Sequence, residues 1–334
     1  MHQAMFWEIL HDGKVQCHLC PQRCLIAPGR KGFCRVRQNE NGALFTRNYA
    51  KCSSYGLDPT EKKPLYHFYP GSNIFSVGTF GCNLRCGFCQ NWSIAHGEPE
   101  TVTLSPEKLV ETAIRKQSEN ESVGIAYTYS EPFMWYEYVY DTARVAKEAG
   151  LKNVLVTNGF INIEPLEQLL PFIDAMNIDV KGFSDSYYNE TCVGELQPVL
   201  KTVELAVQHC HVEITTLLVT GLNDSPQEVS DLVDWLAGVD KEVPLHFSRY
   251  FPNYQMELPP TPVATMEMAR EIAMRKLSYV YLGNVRDNDA SNTYCPQCRE
   301  LLIDRRGYKA VNAGLTEGKC GQCGREINIV GEFV

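Results

Sequence analysis

The sequence predicts an α/β fold with a cysteine-rich module at each end. Two observations carry this. Between residues 74 and 282, short apolar strand patterns alternate with longer helical ones, which implies parallel βαβ units and a sheet buried on both faces. Most of the 14 cysteines also fall into tight groups at the start of that stretch and on either side of it. The expected organisation is an N-terminal cysteine-rich lobe and entry loop over residues 1–70, an α/β body over 71–290, and a four-cysteine module over 291–334.

Composition bounds the function. With 334 residues, 44% of them hydrophobic and 21% charged, the chain can bury one large core and carry small modules. A net charge of −9 lacks the basic footprint of a nucleic-acid binder. No apolar run is long enough to span a membrane, and Met1–Glu8 does not open on a basic then apolar signal. A cytoplasmic protein is expected. In such a chain grouped cysteines read as metal sites rather than disulfides. Cys52, Cys192 and Cys210 stand alone and read as small buried apolar residues.

Taken in order, the first group is Cys17, Cys20, Cys24 and Cys34, four thiols in a segment broken by Gly29 and Gly32. They can close one metal site, with zinc and an iron–sulfur cluster both fitting the softness of the ligands. Zinc would staple the lobe; a second cluster would relay electrons. Asp58–Phe68 is polar and bounded by prolines. It reads as a solvated connection, or as a loop facing a substrate or partner.

Ile74–Phe80 is a buried strand, and the loop after it carries Cys82, Cys86 and Cys89. Structural zinc wants four protein ligands, so three thiols on one loop leave a position open. On a [4Fe–4S] cluster they would hold three irons and free the fourth. A zinc completed from elsewhere is the competing reading.

Helices and strands then alternate. Ser105-Pro106 opens a helix with a cap and a proline in its first turn, and Leu109, Val110, Ala113 and Ile114 form its apolar face. Val123–Thr128 is a strand, followed by a helix after Pro132 that ends near Gly150. Strands follow at Asn153–Thr157, Ala175–Lys181, Val212–Val219 and Pro244–Tyr250, with Val280–Leu282 as a seventh. Ser225-Pro226 opens a helix with Val229, Leu232, Val233 and Leu236 on one stripe, and another helix spans roughly 263–277. In parallel barrels the active site lies at the C-terminal strand ends. Glu131 follows the second strand, where an acid also suits a helix N-terminus. Thr157-Asn158-Gly159 follows the third, as turn or ligand. Asp179 and Lys181 share one face of the fourth, where they serve each other or a ligand. His246 on the sixth shares a face with Ser248 and Tyr250. In the tail, Cys295-x2-Cys298 and Cys320-x2-Cys323 have the spacing of two zinc knuckles, a closed four-thiolate site whose metal would supply the folding energy.

C-x3-C-x2-C on a post-strand loop resembles the signature of the radical SAM superfamily, and the six strand–helix units resemble its partial (β/α)6 barrel. The Lys62-Lys63-Pro64-Leu65 loop, Tyr129-Ser130-Glu131-Pro132, the N-terminal cysteines and the terminal ribbon together resemble the radical SAM proteins of the AmmeMemoRadiSam system, relatives of pyruvate formate-lyase activating enzymes. The resemblance implies a [4Fe–4S] cluster on Cys82, Cys86 and Cys89 whose open iron binds S-adenosylmethionine (SAM). One-electron reduction would then cleave SAM to a 5′-deoxyadenosyl radical that abstracts hydrogen from a substrate. Glu131 matches the glutamate that contacts the SAM amino group, although Tyr129 and Ser130 replace the two glycines usual before it. Thr157 and Asn158 match a SAM-touching segment, Asp179 and Lys181 a pair that engages SAM, Thr220–Asp224 a turn of the family, and His246 a histidine near the SAM carboxylate and substrate. Memo-like and AMMECR-like partners, and an electron donor such as flavodoxin or ferredoxin, are implied. The substrate would be a glycine on a protein, as for a glycyl-radical-enzyme activating enzyme, or a small molecule. A non-catalytic Fe–S and zinc scaffold or electron carrier is the alternative of another class.

Overall fold

The computed structural model describes residues 1–120, 122–285 and 289–333. Its centre is an eight-stranded sheet: β1 (Ser54–Pro59), β2 (Asn73–Gly78), β3 (Ser122–Tyr127), β4 (Lys152–Thr157), β5 (Ala175–Asp179), β6 (His211–Leu218), β7 (Leu245–Arg249) and β8 (Val280–Gly283). The strands lie side by side in chain order. β2 to β8 are parallel, and β1 runs antiparallel to β2. The order never reverses, so every crossover steps the same way around the sheet. That is the connectivity of a barrel rather than of a doubly wound sheet. β8 and β1 do not pair, and the barrel is open.

The longer helices are α1 (Pro106–Asn120), α2 (Tyr136–Glu148), α3 (Ile163–Leu169), α4 (Leu196–Ala206), α5 (Pro226–Asp240) and α6 (Val263–Ala273). The predicted caps form. Ser105 Oγ accepts from Lys108 N at 3.3 Å and Ser225 Oγ from Glu228 N at 3.2 Å. Past the end of α2, Gly150 takes φ +76°, a C-terminal glycine conformation. Ile114 departs from its assigned face and is 44% exposed. α3 and α4 are additional to the helices read from the sequence.

Residues 51–72 differ most from expectation. Ser54–Pro59 is a strand, and the segment after it is no solvated loop: Thr60, Leu65, His67 and Phe68 are fully buried. Leu65 and Phe68 pack with Ile74, Ala126, Val154 and Ala175, one residue from each of β2 to β5, closing the floor of the barrel. The polar and proline content reads as a loop; the apolar residues spaced through it cover an open barrel end, which local pattern does not show.

Both end modules dock on this frame. Arg37 in the N-terminal lobe forms a buried ion pair with Glu137 of α2, and Glu137 also accepts from Met5 N at 2.8 Å. The C-terminal module is a three-stranded antiparallel sheet and a short hairpin. Its Leu302 and Ile303 pack against Tyr66, Tyr279 and Tyr281 beside the floor. Arg305, 3% exposed, donates from Nη2 to Tyr66 O at 2.7 Å, lies 4.2 Å over the Tyr66 ring and approaches Glu61 at 3.7 Å. Phe68 pairs with Val330 as a parallel bridge.

Candidate active site and metal centres

The loop after β2 is shaped by Gly81, whose φ of +98° favours glycine and whose added Cβ would meet Val36 at 2.6 Å. Arg85 N donates to Cys192 O at 2.8 Å, and Arg85 Nη1 returns to Cys82 O at 2.9 Å. The three thiols then face one cavity of about 280 Å3. Burial, followed by the nearby Glu131, pushes the Cys82 thiol well up. Cys86 is raised by its hydrogen bond with Cys192 and then by burial, and Cys89 by burial. Without metal these are thiols, so a bound metal must displace their protons. Among the described residues, the tail cysteines form the group of three or more ligand atoms that lie within 4.8 Å of one another.

Five consecutive strands send residues to the same cavity: Thr128 and Glu131 after β3, Val156, Thr157 and Asn158 at β4, Asp179 and Lys181 at β5, Thr215 and Leu217 on β6, and Ser248 on β7. Side chains converging from five neighbours make this face concave. Glu131 is a buried carboxylate that takes a 2.6 Å hydrogen bond from Thr157 Oγ1, 2.9 Å from Asn158 N and 3.0 Å from Phe133 N. Burial nonetheless raises it to about 7, the three donors only moderating the rise. Asn158 Nδ2 faces Cys82 Sγ at 3.7 Å. Lys181 Nζ meets Asp179 Oδ2 at 3.0 Å. Burial alone would lower Lys181, but the Asp179 carboxylate holds it well above its ordinary value.

His246 is elsewhere. It shares the inward face of β7 with Ser248, as alternation implies, but one layer deeper, and only Ser248 lines the cavity. His246 Nε2 bonds Glu213 Oε2 at 2.6 Å, and its ring lies edge-on to Tyr66 at 4.7 Å. Glu213, fully buried, also engages His211 at 3.0 Å and accepts from His67 N at 2.7 Å. Burial would raise this carboxyl; His211 and His246 hold it well below the usual range. The turn at Thr220–Asp224 lies outside the cavity lining, with Asn223 clamped to Val219 N at 2.7 Å and Lys181 O at 2.6 Å.

Sequence reading missed Ser248 as a lining residue, although its face was assigned. It also missed His96, which lines the cavity beside Arg85 and is lowered to about 4 by burial and then by Arg85 and Arg35. Cys192 is buried as expected of a lone cysteine, yet it touches Cys86; nothing local to its sequence signals this.

The tail cysteines fit a single tetrahedral ion. Cys295 and Cys323 sulfurs are 3.6 Å apart, Cys298 and Cys320 3.5 Å, close to the edge of a four-thiolate zinc tetrahedron. Backbone N–H groups of Cys298 and Gln297 and the Cys323 thiol more than offset burial and bring Cys295 down to about 7. The N-terminal four, Cys17, Cys20, Cys24 and Cys34, line a separate small cavity.

Comparison with known proteins gives a consistent picture. The model of the radical SAM superfamily matches residues 76–236. An uncharacterized protein of Methanocaldococcus jannaschii is 44% identical over 99% of this chain and 100% of its own length. The pyruvate formate-lyase-activating enzyme of Clostridium pasteurianum is 25% identical over 51% of this chain and 72% of that protein. Among solved structures, Streptococcus suis SuiB bound to S-adenosylmethionine superposes with a TM-score of 0.52 at 14% identity, over 65% of this chain and 51% of that one; this likeness is one of fold.

Proposed function

The chain belongs to the radical SAM superfamily, whose members are enzymes, and from that premise we propose that the cavity at the C-terminal strand ends binds and reductively cleaves SAM to start hydrogen abstraction from a substrate. One observation carries the reading: three thiols, one deeply buried carboxylate and one ion pair, drawn from a loop and two strand ends, face a single space. Cys82, Cys86 and Cys89 would hold a [4Fe–4S] cluster which, with SAM on its open iron, supplies one-electron cleavage to methionine and a 5′-deoxyadenosyl radical. Glu131, held rigid by Thr157, Asn158 and Phe133, offers a desolvated carboxylate to an ammonium. Lys181, kept charged by Asp179, offers its cation to a carboxylate. Asn158 ties the first of these to the cluster loop through Cys82 and Asn83. The tail would carry a structural zinc.

The substrate hydrogen is abstracted either from a glycine on a partner protein, the reading favoured by the match to an activating enzyme, or from a small molecule handled with Memo-like and AMMECR-like partners. Flavodoxin or ferredoxin would be the donor. All 14 cysteines are free, which suits the reducing cytoplasm, and no described helix is long and apolar enough to cross a membrane. Anaerobically reconstituted protein with dithionite and SAM is expected to release 5′-deoxyadenosine. The Cys82→Ala/Cys86→Ala/Cys89→Ala variant should release none while keeping its zinc. Intact cluster without that product would sink the proposal. A glycyl radical on a partner, seen by electron paramagnetic resonance, selects the activating role.

A further inference from the structure

The four N-terminal cysteines converge on a second cavity, behind the cluster loop. It is small and is lined by Cys17, Cys20, Cys24 and Cys34 together with Ile26, Met134 and Arg37. The spacing of its sulfurs separates the two metals that the motif allows. Zinc at its usual bond length of about 2.3 Å puts four sulfurs about 3.8 Å apart. The tail cysteines meet that spacing. Among the described residues, neither the N-terminal thiols nor Cys82, Cys86 and Cys89 form such a group of three or more within 4.8 Å of one another. One chain therefore holds a tight set that matches a single ion and two sets that do not.

The surroundings agree. Phe33 N donates to Cys24 Sγ at 3.3 Å, and the buried guanidinium of Arg37 faces Cys17 Sγ at 3.8 Å. Backbone N–H groups also reach Cys20, from Gln22, and Cys34, from Val36 and Arg37. Such donors and a buried cation offset the negative charge that thiolate-ligated iron–sulfur clusters carry and tune their potential.

The wall between the two cavities is one peptide thick. Cys82 and Leu84 line the first cavity and Asn83, between them, lines the second. Asn83 O accepts from Gln22 Nε2 at 3.0 Å, and Asn83 Oδ1 accepts from Asn158 Nδ2 at 2.9 Å. The geometry points to a second iron–sulfur cluster on Cys17, Cys20, Cys24 and Cys34 that passes single electrons across Asn83 to the SAM site. One electron from an external one-electron donor reduces this cluster and then leaves it for the neighbouring one; no bond forms or breaks. Cys24, the half-buried ligand, marks the side from which the donor supplies it. The destination of the electron rests on the SAM reading above; the cluster itself does not.

Anaerobically reconstituted full-length protein is expected to contain about eight iron and eight sulfide with about one zinc. The Cys82→Ala/Cys86→Ala/Cys89→Ala variant should keep about four iron, and dithionite should give it a reduced-cluster paramagnetic signal that added SAM leaves unchanged. Retained zinc shows that the variant is folded; loss of all iron from it overturns the inference. So does a Cys20→Ser/Cys24→Ser variant that keeps its full iron and loses zinc. In the single variant Cys24→Ser, reduction of the SAM-site cluster by reduced flavodoxin should slow about tenfold or more, and an unchanged rate removes the relay. A two-cluster protein that releases no 5′-deoxyadenosine would sink the SAM reading and leave this site standing. An iron-free triple variant beside an active wild type would do the reverse.

Discussion

At Glu131, three donors meet one carboxylate that burial has raised to about 7. The folded chain therefore keeps a proton there that the unfolded chain releases near 4.5. Stability from this group is present below that value and is lost as pH rises toward 7, by up to about 1.4 kcal/mol per unit. Thermal melts of metal-free protein across that window should show the loss, and Glu131→Gln should flatten it; equal slopes in both would show that Glu131 does not titrate as described. Site residues were legible wherever alternation and strand ends decide position, as for Asp179 and Lys181. Depth along a strand is not so readable. His246 and Ser248 share a face, but register against β6 places one beside Glu213 and the other at the cavity. Cys192 meets Cys86 only because the chain around it bonds back to Arg85 and Gly87.

The floor segment is the element that sequence pattern concealed. Several of its polar residues, Thr60, Glu61 and His67 among them, are buried with protein partners. His67, fully buried, bonds Asn328 O at 2.7 Å and Tyr281 Oη at 2.6 Å, and burial lowers it to about 3. The unfolded chain protonates this histidine first, so its contribution is complete above about pH 6.5 and is lost as pH falls toward 3. Urea unfolding at falling pH should be steeper in wild type than in His67→Gln. Arg305 is the second pin of this element. Arg305→Ala removes the bonds to Tyr66 O and Thr293 Oγ1 and leaves Glu61 buried without its cation. A loss of about 3–5 kcal/mol follows from breaking a buried pair; a denaturation midpoint close to wild type would contradict the pairing. Helices were more legible, because Ser105, Ser225 and Gly150 are local signals that tertiary packing did not override.

Across the whole molecule, the alternation of strand and helix was enough to announce a parallel α/β fold, and the cysteine spacings announced the modules. How the modules interlock was not legible, since it depends on contacts such as Arg37 with Glu137 and Phe68 with Val330 that join distant parts of the chain. Interlocking makes the tail more than an appendage. Its cysteines Cys295 and Cys320 share one cluster with Tyr66 and Tyr281. Cys298→Ser should therefore lower zinc to below about one per chain and also increase amide exchange in residues 65–69, read by mass spectrometry; exchange confined to the tail would show the module to be independent. The same feature orders events in time. Arg305, Asn328 and Val330 leave the ribosome after every strand of the barrel, and domains tend to fold as they emerge. A nascent chain can therefore line up its strands and present its thiols while the floor lacks its last partners. The barrel locks only after its tail is made, so an interrupted product keeps a loose floor and is open to proteolysis.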